Sequence, residues 1–283
     1  MQVRPATPDD RLAAKRLMRL FVARGELLRR TDEELLTLIP NAFLAERNGT
    51  ALGFAALEIY SPKLSEVQCL SFTSTSMGEE VVRELVRQCV ARARQRGVLE
   101  VMAVVPVGLT LLLQSCGFRV ALPNQRRAMF VRPAETPHAA SEELLCDRST
   151  EITFRDASAA EADAIRRYLQ PFVDRNELLL RTTEQMNQLL QHGFVAEDQG
   201  RIIGFVALEI YSPKLAELQC LAVDPDYRGR RIGRRLVSRV IARAQQYSVK
   251  EVMAITSRDE VLRACGFDDC LPGSKAALFL RTR

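Results

Sequence analysis

From Asp224 to Leu236 the chain reads DPDYRGRRIGRRL, with five arginines and two glycines in thirteen residues. An apolar run, ELQCLAV (217–223), ends just before it. Just after it, Leu236, Val237, Val240, Ile241 and Ala244 recur at helical spacing. The arginines therefore sit where a strand gives way to a helix. The first amides of a helix have no partner of their own, and with the helix dipole they attract an anion. Glycines at 229 and 233 let a ligand approach the backbone closely. A basic run is more commonly a solvated face. At a helix N-terminus, however, each cation costs about 0.3–1 kcal/mol near the surface. Arg228, Arg230, Arg231, Arg234 and Arg235 make better sense with a polyanion among them.

Two carboxylates are the other groups able to do chemistry. Glu209 and Glu217 lie on predicted strands either side of the turn Ser212-Pro213-Lys214. A carboxylate lining a cleft can take a proton from a reacting amine, directly or through water. His138 and His192 have no triad or ligand set around them. The seven cysteines are odd in number and lack CxxC spacing, which points to reduced thiols of a cytoplasmic protein and to no metal site.

The elements that position these groups are written twice. GFAALEIYSPKLSEVQCL (53–70) and GFVALEIYSPKLAELQCL (204–221) differ at three of eighteen positions. The copies align at an offset of 151 until the second loses two residues, so that Cys116-Gly117-Phe118 matches Cys265-Gly266-Phe267. Each copy predicts the order β-α-α-β-β-β-α-β-α-β-β, an α/β fold with a mixed sheet carrying helices on both faces. Thr182 is the expected N-cap of a second helix and Gly266 a helix stop. A closing hairpin ends on AALFLR (276–281). Expected domains are 1–134 and 152–283, joined by a linker at 135–151 with a short helical turn near Ser141–Leu145.

The copies part at the arginine turn. Where the second has RGRRIGRR, the first has MGEEVVRE (77–84). Ser76 to Glu79 fits a capping box, in which the serine satisfies a helix amide that a phosphate would otherwise meet. Glu79 and Glu80 would repel phosphate. The anion site is therefore expected in the second copy alone. Glu58 and Glu66 survive in the first copy, so Glu209 and Glu217 could equally serve a shared hairpin, as could Tyr60/Tyr211 and Lys63/Lys214.

Composition is that of a globular chain, 47% apolar and 27% charged, with a net charge of +5. No apolar run reaches the roughly 20 residues of a membrane span. The arginine cluster is compact and has only Tyr227 interleaved, which argues against nucleic acid.

The run of strand, LAVDPDYRGRRIG, amphipathic helix, strand, short helix and CGF resembles the GNAT (GCN5-related) N-acetyltransferases, in two tandem copies. Arg228 and Gly233 match the ends of that family's Q/R-x-x-G-x-G/A loop, and Arg231 replaces its middle glycine. Within the superfamily each half is most similar to the acetyltransferase domain of N-acetylglutamate synthase, through Val3–Asp10, ELLRRTDEEL (26–35) with ELLLRTTEQM (177–186), AELQCLAVDPDYR (216–228) and ITSRDEVLRACGF (255–267). The resemblance implies acetyl-CoA as co-substrate. Its pantetheine would lie along Leu221, Ala222 and Val223, and its diphosphate on Arg228, Gly229, Arg230, Arg231, Ile232, Gly233 and Arg234. It implies a small-molecule amine as acceptor, an amino acid for instance, with Arg181 and Arg258 holding carboxylate and Glu217 or Glu209 as base. Where many members carry an acidic tyrosine this chain has Leu262. A non-catalytic acetyl-CoA sensor is therefore the competing expectation. The two halves are expected to pack as a pseudo-dimer.

Overall fold

The computed structural model describes residues 1–73, 77–120, 127–136, 152–256, 258–269 and 275–282. Ser76 and the segment Ser141–Leu145 lie outside them. The first repeat opens with β1 (Gln2–Pro5), α1 (Arg11–Ala23) and α2 (Asp32–Leu38). It continues through β2 (Ala42–Arg47), β3 (Thr50–Ile59), β4 (Leu64–Phe72), α3 (Gly78–Gln95), β5 (Glu100–Pro106), α4 (Thr110–Ser115) and β6 (Arg127–Val131). The second gives β7 (Thr153–Asp156), α5 (Ala162–Asp174), α6 (Thr183–Leu190), β8 (Gly193–Asp198), β9 (Arg201–Ile210) and β10 (Leu215–Val223). It ends with α7 (Ile232–Gln246), β11 (Glu251–Thr256), α8 (Glu260–Arg263) and β12 (Lys275–Arg281). Thr182 caps α6 as expected, accepting from the Gln185 amide.

The chain divides into two compact units, but not at the expected boundaries. One comprises residues 1–121 with 269–283, and the other residues 122–268. In the first unit β12 lies antiparallel to β5, with Leu278 opposite Ala103. In the second, β6 lies antiparallel to β11, with Met129 opposite Ala254. Each repeat thus gives its closing strand to the unit built by the other repeat, and the expected hairpin ending on 276–281 within its own copy does not form. The strands themselves explain why this is tolerated. AMFVR (128–132) and ALFLR (277–281) are near-equivalent, so either fills the same slot, and exchange of like elements costs little.

The strand order is β1-β2-β3-β4-β5-β12 in the first unit and β7-β8-β9-β10-β11-β6 in the second. In the first unit, α3 covers one face over a core that takes in Val81, Leu85, Ala103 and the borrowed Leu278. Met18, Leu35 and Phe54 fill the opposite face under α1 and α2. In the second, Leu236, Val240 and the borrowed Met129 fill the α7 face, while Ile165, Phe172 and Met186 fill the other. Neighbouring strands are antiparallel except β4–β5 and β10–β11. Gly53 marks the close crossing of α3 over β3, since a Cβ there would stand 2.4 Å from Val81 Cγ1. Gly53→Ala is accordingly expected to cost about 1–3 kcal/mol through overpacking, measurable by urea denaturation.

Candidate functional site

The site is built where β10 and β11 separate. Their parallel pairing runs from Leu215/Glu251 to Leu218/Ala254. Beyond it, no register pairs join them among the described residues. At the same place β10 loses register with β9 between Gln219 and Ala222. Cys220 takes a φ of 57° there, a left-handed conformation that is uncommon for a non-glycine residue. The bulge re-aims the backbone of Leu221 to Val223 beside the opening.

Next to the bulge lies a polar cluster. The register of β9 and β10 sets Glu209 directly opposite Glu217, an unfavourable placement of like charges on one face. Tyr211 Oη donates to Glu217 Oε2 at 2.6 Å. Gln219 Nε2 donates to Glu209 Oε2 at 2.6 Å and to Glu217 Oε2 at 3.0 Å. Arg181 Nη2 donates to Gln219 Oε1 at 2.5 Å, which fixes the amide with its NH2 end towards both carboxylates. Burial, with Glu209 nearby, pushes Glu217 up to about 7, against the pull of the Tyr211 hydrogen bond. Burial and both glutamates also raise Tyr211 well above its ordinary value. A carboxyl group titrating near neutrality suits a general base. Arg181 is thus placed on the cluster through Gln219. Arg258 is exposed beyond β11, and among the described residues no hydrogen bond joins its side chain to the cluster.

The loop into α7 is held from several sides. Asp224 accepts from the Asp226 amide at 3.1 Å and pairs with Arg201 at 2.6 Å. Tyr227 Oη donates to Asp198 at 2.7 Å, and Arg230 stacks over the Tyr227 ring. Gly229 takes a φ of 79°, with open space where a Cβ would be. Arg231 is the N-cap, at φ 59°, and provides no side-chain cap. It adopts the left-handed conformation that a glycine takes without strain. Arg228, Arg230 and Arg231 are exposed around this end. Arg234 turns to the Ala264 carbonyl and Arg235 lies over Phe154, so two of the five arginines point elsewhere.

The equivalent stretch of the first unit is already helical. α3 begins at Gly78, the counterpart of Gly229, whereas α7 begins at Ile232, the counterpart of Val81. The N-cap of α3 is Met77, and it makes no side-chain cap. Helix therefore occupies the counterparts of Gly229, Arg230 and Arg231, with Glu79 and Glu80 in its first turn. A cavity of about 570 Å³ lies apart from the cluster, lined by Arg155, Tyr168, Phe172, Arg175 and Arg201, and it shares Asp224 and Pro225 with the loop.

Sequence reasoning missed Gln219 as the hub of the cluster and treated Tyr211 as a hairpin residue. The signal was available. With Glu209 and Glu217 equidistant from the Ser212–Lys214 turn they must face each other, and Gln219 falls two residues on, on the same face.

The profile of the Acetyltransferase (GNAT) family matches residues 160–267. An uncharacterized N-acetyltransferase of Chlorobaculum tepidum is 32% identical over 115 residues, covering 41% of this chain and 74% of that protein. An amino-acid acetyltransferase of Pasteurella multocida is 30% identical over 107 residues, but this covers 38% of this chain and only 24% of that longer protein. A GCN5-related N-acetyltransferase from Sphaerobacter thermophilus, 19% identical, shares the fold over 100% of this chain and 96% of its own, with a TM-score of 0.53. A matched relative covered over most of its length and a profile spanning the β10–α7 loop carry one conclusion: the chain belongs to the GNAT acetyltransferase family.

Proposed function

We propose that the chain transfers acetyl from acetyl-CoA to the amine of a small molecule, an amino acid for instance, at a site in the second unit. The observation that carries this is the pairing of an uncapped, arginine-edged helix N-terminus with a carboxylate cluster, whose Glu217 is pushed up to about 7, at the mouth of one strand opening. Acetyl-CoA supplies the acetyl group as a thioester. Arg228, Arg230 and Arg231 and the first amides of α7 would hold its diphosphate, and the Leu221 to Val223 backbone its pantetheine. Glu217 takes the proton from the acceptor ammonium, freeing the nitrogen lone pair for attack. Glu209 strengthens the affinity of the cluster for that ammonium, and Arg181 positions both carboxylates through Gln219. The first unit is a copy that has lost the acetyl-CoA loop. Free cysteines at 69, 89, 116, 220 and 265 suit a reducing compartment such as the cytoplasm. No helix among the described residues is long and apolar enough to cross a membrane.

One feature favours binding without turnover. Leu262, 2% exposed in α8, provides no acid for the leaving thiolate, as a sensor would not need one. Release of free thiol from acetyl-CoA in the presence of amino acids separates the two. Acetyl-CoA binding itself is tested by calorimetry on the full chain. The double substitution Arg228→Glu/Arg230→Glu is expected to weaken it at least about a hundredfold, from the loss of two charge-assisted contacts. Unchanged affinity would remove the loop from the site.

A further inference from the structure

The first unit has lost the loop but kept the cluster. Glu58 stands opposite Glu66 in the β3–β4 register. Tyr60 Oη donates to Glu66 Oε2 at 2.6 Å, and Gln68 Nε2 donates to the same oxygen at 2.8 Å. Arg30 Nη2 donates to Gln68 Oε1 at 2.6 Å. These are the contacts of Arg181, Tyr211, Gln219 and Glu217 repeated at the same positions. Burial pushes Glu66 up to about 7, as it does Glu217.

Divergence between the repeats is graded, so shared ancestry alone does not account for this. Of the 52 positions before Gly53, 18 match their counterparts. In the hairpin 15 of 18 match, and in Glu26–Thr31, which delivers Arg30, 5 of 6 do. At 77–84, the former loop, 2 of 8 match. The hairpin is therefore held by a requirement of its own in a unit without the phosphate-binding end. A mere brace would not need opposed glutamates, because an apolar pair of similar size is at least as stable. Arg30 Nη1 also reaches Glu34 Oε1 at 3.5 Å, but one donor stays in reserve: the side chain is 11% exposed, and its Nε is buried without a hydrogen-bond partner among the described residues, a costly state for a charged donor.

We propose that the Arg30, Glu58, Tyr60, Glu66 and Gln68 cluster of the first unit is a second ligand site, which binds a small zwitterion with ammonium and carboxylate groups, a free amino acid, and does not acetylate it. The ammonium relieves the opposed carboxylates, and the ligand carboxylate meets Arg30. The ligand class rests on the reading of the equivalent cluster in the second unit as an acceptor site.

The test is calorimetry on the full chain carrying Glu209→Gln/Glu217→Gln, titrated separately with L-glutamate, L-leucine and L-lysine, and with propylamine and acetate as half-ligands. Saturable binding of one equivalent of at least one amino acid is expected, with neither half-ligand matching it. Adding Glu58→Gln/Glu66→Gln should weaken it at least about tenfold. These near-isosteric changes are checked for retained near-UV circular dichroism, and Arg30→Lys provides a second variant if they unfold the unit. Absence of amino-acid binding in the Glu209→Gln/Glu217→Gln chain, or binding that survives the first-unit changes, overturns the proposal. Acetyl-CoA titrated into the wild-type chain reports on the second unit independently, so failure there is distinguishable from failure here.

Discussion

Glu217→Gln is expected to lower kcat for acetyl transfer by about 10²–10⁴-fold, the range for loss of a positioned general base, while acetyl-CoA affinity stays unchanged. The split between kcat and co-substrate binding follows from the geometry, since the arginine loop lies beyond the end of β10 and Glu217 near its start. The pH profile should change with it. Glu217 titrates near 7 within a set that includes Glu209, Tyr211 and Arg181, so kcat/KM of the wild type rises through neutral pH with an apparent value belonging to the set. Glutamine at 217 should flatten that limb. The same shift has a stability consequence of defined sign. The folded chain holds the Glu217 proton more tightly than the unfolded chain, whose ordinary value is 4.5. The stability this contributes is complete below pH 4.5 and is lost as pH rises through about 7. Chemical denaturation from pH 5 to 8 should therefore show the wild type losing ground to Glu217→Gln. An unaltered kcat with the same acid limb would remove Glu217 from the chemistry.

Leu278→Ala should destabilise the unit formed by the other repeat. Leu278 is fully buried on β12, opposite Ala103 of β5, in the core beneath α3. Truncating a buried leucine costs about 2–5 kcal/mol, as transfer free energy plus an unfilled cavity. Hydrogen exchange should accordingly accelerate in β5 and α3, with 152–268 protected as before. Met129→Ala is the mirror experiment. Met129 is fully buried in the core beneath α7, so its loss should open β11 and α7 and spare 1–121. Faster exchange in 152–268 for Leu278→Ala would mean that β12 pairs within its own repeat in solution.

Much of each unit was legible in the sequence because it follows from local rules. Apolar runs bounded by turns gave the strands, the Leu236–Ala244 stripe gave α7, and Thr182 as an N-cap gave the start of α6. The arginine loop was legible for the same reason, since strand end, glycine and helix start are contiguous. The closing strand was not. Nothing local distinguishes AMFVR pairing with β11 from AMFVR pairing with β5, because both strands present similar apolar edges and the choice depends on chain path between repeats. The hub at Gln219 needed register as well as strand assignment. It becomes visible only when Glu209 and Glu217 are placed face to face. The start of α3 at Gly78, after an N-cap at Met77, shows the limit of cap patterns. A serine and a glutamate three residues apart fit a capping box, yet the helix begins one residue later.

The exchanged strand also sets an order of events during synthesis. The sheet of the first unit needs β12, whose first residue, Lys275, follows the end of β5 at Pro106 by well over a hundred residues. At 5–20 residues per second the ribosome takes on the order of 10–30 s to cross that interval. Throughout it, β5 is an open edge able to pair with another nascent chain. The second unit, by contrast, can close as soon as β11 and residues up to Asp268 emerge, because β6 has already been made. The half whose residues appear first is therefore the last to finish folding, and it spends the interim as the part of the nascent chain most in need of a chaperone.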